Sequence, residues 1–404
     1  MSVATEVLGS QAGVAASPAA SPLLGVYRQA GPVFVAGRGS RLIAEDGREY
    51  LDFTSGIGVN ALGYGETEVT RAIREALTAG VLHTSNLFRT RPAEALAAEL
   101  VRLSFADRVF FCNSGAEANE GAFKFARRWA RTQGGPQKHE IVALRGSFHG
   151  RLFGSLAATD RPKYQEPFEP LMPGVRFIPV GDEAAARAAI SPERTAAVIV
   201  EPIQGEGEVR PVDEGFLRTL RALADEANAA LIFDEVQCGL GRTGSLFAYQ
   251  ELGVVPDILT LAKPLAGGLP MGAVLLSERI ASAVQPGDHA TTFGGGLLVS
   301  TVALAVVRRI ADPAFLAGVR EKGKRVRAAL EPLTASPRVR EVRGRGLMWG
   351  IELEEEAAPV VAQALERGLL VLVAGERVVR LLPPLTIPEE DLDAGLSILV
   401  ELLS

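Results

Sequence analysis

Short runs of apolar residues recur along the middle of the chain, each ending in a polar or glycine-rich turn, and longer Ala/Leu/Arg/Glu stretches separate some of them. Residues 109–112, 141–144, 196–200, 229–233 and 258–262 read as strands buried on both faces, because a strand with one wet face would alternate apolar and polar positions. Residues 116–130 and 216–228 read as helices between them. Buried strands alternating with helices predict an α/β fold, a large domain at 76–300 whose central sheet is mostly parallel and flanked by helices. Further on, 314–330 reads as a helix with Pro313 suited to its start, and 347–353 and 378–382 as strands, so 305–404 is expected to form a smaller α+β domain. Residues 22–75 are expected to pack with that smaller domain. Residues 1–21 are rich in Ala, Ser and Gly and hold no Lys or Arg, which predicts a flexible tail.

Each of the strands runs straight into residues able to do chemistry: Asn113-Ser114-Gly115, Ser147-Phe148-His149, Glu201, Asp234 and Lys263. Ligands of open α/β sheets bind beyond the carboxyl ends of the strands, so these loops are expected to converge on one site. Asn113 to Ala118 joins a strand to a helix and turns free N–H groups and the positive helix end toward the cleft, an arrangement suited to phosphate. A plain turn capped by Asn113 or Ser114 is the alternative. A second glycine pattern, Gly239-Leu240-Gly241-Arg242-Thr243-Gly244, spells a dinucleotide fingerprint, but the next strand ends in Lys263 rather than in an acid, so a tight loop is the better reading.

Asp234 brings a carboxylate to the end of a buried strand, where an unpaired charge is costly. A protonated pyridine nitrogen would be a fitting partner, and the acid would keep that ring an electron sink; a loop-capping Asp is the plain alternative. Lys263 stands between an apolar strand and Pro264, with Gly267-Gly268 beyond. Desolvation there lowers an ammonium pKa, which an amine needs to form an imine and to move protons.

Composition mainly excludes. The formal net charge is −6 with no dense basic stripe, so nucleic acid is not an expected partner. The four histidines lie far apart without ligand spacing, so no metal site is expected. Two distant cysteines, no apolar run long enough to cross a bilayer and no signal-like start predict free thiols, no membrane and a cytoplasmic protein.

Eight ordered motifs carry a resemblance that runs from about Leu23 to the end. They are Gly56-Ile57-Gly58-Val59-Asn60-Ala61-Leu62-Gly63, Ser85-Asn86-Leu87-Phe88, Phe111 through Asn119, Ser147-Phe148-His149-Gly150-Arg151, Glu201 through Gly207, Phe233-Asp234-Glu235-Val236-Gln237, Leu261-Ala262-Lys263 and Thr291-Thr292-Phe293-Gly294-Gly295. The chain resembles the class III aminotransferases of pyridoxal-phosphate fold type I, and within them those acting on acetylornithine. The resemblance implies pyridoxal 5'-phosphate bound covalently to Lys263, with its phosphate on Ser114, Gly115 and Ala116. It places Phe148 and Val236 on the two ring faces, Asp234 on the ring nitrogen and Gln237 on the phenolic oxygen. Thr292 would reach the phosphate of a neighbouring subunit, implying a homodimer with shared active sites. Arg151, Arg380, Glu206, Ile57 and Asn86 are the implied substrate residues.

The implied reaction moves an ω-amino group from N-acetylornithine, or a similar acylated or carrier-bound diamino acid, to 2-oxoglutarate by a ping-pong route in arginine or lysine biosynthesis. Alternatives are a carrier-bound aminoadipate-semialdehyde aminotransferase, with a carrier protein as partner, an ornithine or 4-aminobutyrate aminotransferase, and an aminomutase or racemase. Ile57 stands where ornithine-specific members tend to have a tyrosine reading a free α-amine. Tyr64, Pro264 and Gly296-Leu297 depart from the family's usual His, small residue and Asn-Pro.

Overall fold

Three short strands, β1 (Phe34–Arg38), β2 (Arg41–Ala44) and β3 (Glu49–Asp52), pair as an antiparallel meander near the start of the computed structural model, which describes residues 23–27 and 31–404. The tail expected at 1–21 lies outside the described residues. Next come β4 (Arg108–Cys112), β5 (Glu140–Leu144), β6 (Val175–Ile178), β7 (Thr195–Val200), the small hairpin β8 (Ile203–Gln204) and β9 (Arg210–Pro211), then β10 (Ala230–Asp234), β11 (Ile258–Leu261) and β12 (Gly272–Leu276). All but the hairpin form one seven-stranded sheet in the order β4-β12-β11-β10-β7-β5-β6. β11, β10, β7, β5 and β6 pair in parallel, while β12 runs against both its neighbours, β11 and β4.

The two faces of the sheet are separately packed. Ile141, Ala143, Ile199 and Ile232 join the helix Gly115–Gly134 in one apolar cluster. Val142, Leu144, Val200 and Phe233 face the other way, against the helices Glu214–Glu226 and Leu297–Ile310. Burial on both faces is why these strands lack alternation in the sequence.

The five strands expected in the central sheet appear with ends shifted by at most one residue, whereas β6 and β12 of that sheet were not anticipated. The helix expected at 216–228 begins at Glu214, because Asp213 caps it by accepting from Phe216 N at 3.0 Å, and it ends at Glu226. Toward the end lie β13 (Val339–Arg345), β14 (Met348–Leu353), β15 (Leu369–Leu370), β16 (Leu372–Ala374) and β17 (Val378–Leu381). β13, β14, β17 and β16 make an antiparallel sheet in that order, and β15 instead pairs in parallel with β3, Leu369 opposite Leu51. Phe34–Ser404 pack as one compact unit. Among the described residues no helix is long and apolar enough to cross a membrane.

The 239–244 glycine stretch is a tight loop with Gly241 and Gly244 at φ 85° and 99°. Arg242 within it is fully buried and donates through Nη1 to the carbonyls of Leu347 and Pro383, joining the loop to the two chain segments that lead into β14 and follow β17. Arg242→Met keeps the stem and strips both carbonyls of their donor. It should lower the unfolding free energy by about 2–4 kcal/mol, read from denaturant midpoints; a change below about 0.5 kcal/mol would show that the guanidinium joins nothing that matters for stability.

Candidate active site

A cavity of about 450 Å³ opens at the carboxyl edge of the central sheet, and the loop tips meet around it. Ser114, Gly115 and Ala116 enter from the helix start after β4, Phe148 and Arg151 from beyond β5, and Glu201 from the end of β7. Glu206 comes from the β8–β9 hairpin, Asp234, Val236 and Gln237 from β10 and its continuation, and Lys263 from beyond β11.

Ser114 caps the helix Gly115–Gly134, its Oγ accepting from Glu117 N at 3.2 Å. That leaves the first-turn N–H groups of Gly115 and Ala116 without intrahelical acceptors, aimed where a phosphate fits. Gly115 has to be glycine here, since a Cβ would come within 2.7 Å of Val236 Cγ1. This close approach brings Val236 to the cradle, and Phe148 lines the same cavity.

Asp234 is the last residue of β10 and 4% exposed. Its Oδ2 meets Asn119 Nδ2 at 2.7 Å and His149 Nδ1 at 2.8 Å, and its Oδ1 accepts from Val236 N at 3.0 Å. Asn119 is held in turn by Thr260, whose Oγ1 donates to its Oδ1 at 2.8 Å. Four elements thus orient one carboxylate toward the cavity. Burial, with the Arg380 guanidinium adding to it, holds the Lys263 ammonium below its ordinary value, while Asp234, Glu206 and Glu201 act against that shift. Lys263 sits at φ 30° and opens a short 3₁₀ turn, Lys263–Ala266, in which Pro264 takes the first-turn place that needs no N–H donor.

Arg380 on β17 is 2% exposed, and its Nη1 donates to Glu206 Oε1 at 2.7 Å and to Gln237 Oε1 at 3.1 Å. Its Nε has no hydrogen-bond partner among the described residues. A buried guanidinium with donors to spare, bound to the cavity-lining Glu206 and Gln237, suits a planar carboxylate. Arg151 lines the cavity, its Cζ 3.4 Å from the Tyr164 ring centroid and 5.7 Å from that of Phe148.

Four expected site residues do not line this cavity, and of these Arg380 reaches it through the lining residues Glu206 and Gln237, to which it is hydrogen-bonded. Ile57 is 43% exposed on a left-handed turn, Asn86 donates to Thr291 O at 2.5 Å on the surface, and Thr292 is exposed beside it. The sequence reading in turn gave no role to Asn119, Thr260 or the His149 ring. The available signal was a polar residue in the buried stripe Ala118, Ala122, Phe123, Ala126 of a helix. Among the described residues no group of His, Cys, Asp and Glu is arranged to hold a metal ion.

An amine that must shed its charge, close to an acid that must keep its own, is what pyridoxal-phosphate chemistry asks of a protein, and this chain is an enzyme of that class. More narrowly, it belongs to the class-III aminotransferase family, whose model matches residues 27–403. It is 50% identical over 386 residues to a mitochondrial acetylornithine aminotransferase of Alnus glutinosa, covering 94% of this chain and 85% of that one. Identity to the acetylornithine aminotransferase of Methanocaldococcus jannaschii is 47% over 382 residues, 94% of this chain and 96% of that one. Among solved structures, N-acetylornithine aminotransferase from Stenotrophomonas maltophilia matches with a TM-score of 0.81 at 39% identity, over 93% of this chain and 96% of that one. Ornithine aminotransferase from Toxoplasma gondii matches with a TM-score of 0.90 at 30% identity, over 95% and 92%.

Asn119→Ala removes the link between Thr260 and Asp234 and leaves one carboxylate donor fewer. Cofactor affinity should fall about tenfold, equivalent to roughly 1–2 kcal/mol, in an absorbance titration of the apoenzyme. An unchanged dissociation constant would remove Asn119 from the cofactor's support.

Proposed function

We propose that the chain passes the ω-amino group of N-acetylornithine, or of a similarly acylated or carrier-bound diamino acid, to 2-oxoglutarate in two half-reactions at one site. The observation that carries this reading is a desolvated Lys263 sharing one cavity with the networked Asp234, beside a buried Arg380 that Glu206 holds at 2.7 Å. The names of the relatives supply the donor.

Bound pyridoxal phosphate supplies the electron sink. Ser114, Gly115 and Ala116 would hold its phosphate, Phe148 and Val236 would cover its ring, Asp234 would pair with its ring nitrogen, and Gln237 would bind its phenolic oxygen. Lys263 would hold it covalently and, once freed, would carry the proton at the reacting carbon; burial lowers the pKa of this amine, which suits it to act as a base. Glu206 covers Arg380 while an ω-amino donor is bound and swings away when the α-carboxylate of glutamate or 2-oxoglutarate arrives. Arg151 takes the other end of the substrate. Ile57 gives the donor side an apolar surface suited to an acylated amine; it lies two residues before the cavity-lining Val59.

A second copy of the chain completes the assembly in this reading. Leu82, Leu87, Phe88 and Phe293 are 56%, 89%, 70% and 65% exposed, an apolar area large for a free surface. His83 and Phe293 touch with ring centroids 5.3 Å apart, so these segments form one patch. Asn86 and Thr292 lie on it, turned toward the partner's cavity rather than their own.

Acetylornithine or glutamate, each added alone to the holoenzyme, should discharge the visible band of the lysine-bound cofactor, and 4-aminobutyrate should not. A band that survives both would refute the assignment. Ile57→Tyr should shift the ratio of kcat/KM for ornithine over acetylornithine upward by about tenfold or more; an unmoved ratio would free Ile57 of any part in donor choice.

A further inference from the structure

Glu201 lies at the end of β7, 6% exposed, in the wall of the cavity. Its two carboxyl oxygens serve different loops. Oε1 accepts from Phe148 N at 2.8 Å, and Oε2 accepts from Gly205 N at 3.1 Å. Phe148 belongs to the wall that would face a ring. Gly205 immediately precedes Glu206, whose carboxylate holds Arg380 at 2.7 Å.

The second loop has little room to drift. Gly205 packs so tightly on Gln237 that a Cβ there would come within 2.3 Å of Gln237 Oε1, and that same oxygen accepts from Arg380 Nη1 at 3.1 Å. Gly205, Glu206, Arg380 and Gln237 therefore form a closed circuit, and Glu201 joins that circuit to Phe148. Only a carboxylate suits this place: two N–H donors need two acceptors, and a carboxamide offers one acceptor and turns an NH₂ toward the other amide. Of the charged groups around it, His149 favours the ionised acid, whereas Asp234 and burial disfavour it, pushing the carboxyl up to about 7. Glu201 in turn opposes, as one of three carboxylates, the downward shift that burial gives Lys263.

We propose that Glu201 is a positioning residue that ties the ring-covering Phe148 loop to the Glu206–Arg380 pair, so that the cofactor ring and the dicarboxylate substrate are set by one anchor. The proposal rests on the reading of Arg380 given above. Wild-type discharge by glutamate tests that reading by itself, so the two can fail separately.

The test is a double-mutant cycle on the holoenzyme with Glu201→Gln, Arg380→Ala and the double variant. Single-turnover rates are measured for acetylornithine and for glutamate, with the KM for 2-oxoglutarate. Glu201→Gln should slow both half-reactions by about tenfold and raise the 2-oxoglutarate KM, and that rise should largely vanish in the Arg380→Ala background, a coupling that independent sites do not show. Additive effects on KM, or rates within about twofold of wild type, would overturn the proposal. Glu201→Asp keeps the charge but is one methylene too short to span both amides, so it should not rescue; full rescue would make charge, not reach, the cause. Should neither variant fold, hydrogen exchange on the wild-type holoenzyme decides: the Phe148 and Gly205 amides must open together, and independent opening rejects the shared anchor.

Discussion

Asp234 ends a central strand where water has little access, and a carboxylate there is tolerable only if fixed donors stand in for solvent. Asn119, His149 and the Val236 N–H do so, and Thr260 holds Asn119 in place. These donors come from the helix after β4, the loop after β5, the turn after β10 and the neighbouring strand β11. The sheet must assemble correctly before the acid is satisfied, and in the proposed reading that same acid faces the cofactor. Packing and chemistry therefore share one set of hydrogen bonds.

The same edge places opposite demands on its base. Lys263 has to lose charge, and burial supplies that, but three nearby carboxylates, Asp234, Glu206 and Glu201, work to keep it protonated. Burial wins with the help of Arg380, itself partly neutralised by Glu206. Any step that separates Glu206 from Arg380 strengthens the cationic influence on Lys263 unless an incoming carboxylate replaces Glu206. In the proposed reading, a substrate carboxylate at the guanidinium would thus be electrically connected to the lysine.

The core strands were legible because burial on both faces leaves an unbroken apolar run with chemistry-bearing residues at its end. β12 was not, since it follows Gly267-Gly268 after the 3₁₀ turn without an intervening helix and so departs from the alternation that announces parallel strands; it returns antiparallel. β6 is a four-residue strand at the sheet edge carrying Arg176 in its middle, which weakens the apolar signal. Most of the cavity lining was visible because loop tips at strand ends must converge. Asn119 lies a turn inside a helix and acts through Asp234, a contact that periodicity does not encode. Asn86, Thr292 and Ile57 came from resemblance alone, and a single chain places them outside its own cavity lining.

Tyr64, a departure from the family pattern, illustrates how a substitution can preserve a physical role. Ser55, Gly56, Ile57 and Gly58 all have left-handed backbone, with φ between 47° and 83°, and they close a turn through Gly58 N to Thr54 O at 2.9 Å. Two of the four carry side chains, and each such residue costs about 1–2 kcal/mol. Asp52 offsets this: its Oδ1 accepts from Thr54 N at 2.7 Å and Ser55 N at 3.1 Å, and its Oδ2 accepts from Tyr64 OH at 2.6 Å. A histidine there would donate a similar bond only in one tautomer or when protonated. The Tyr64 phenol, pushed up by burial and by Asp52, stays a donor at any pH the protein meets. Its ring leaves no space for a side chain at Gly37, where a Cβ would come within 2.7 Å of Tyr64 Cγ, so glycine on β1 and tyrosine here depend on each other. The phenol thus keeps the strained turn anchored, two residues from Val59 at the cavity and with Gly58 lying near Lys263.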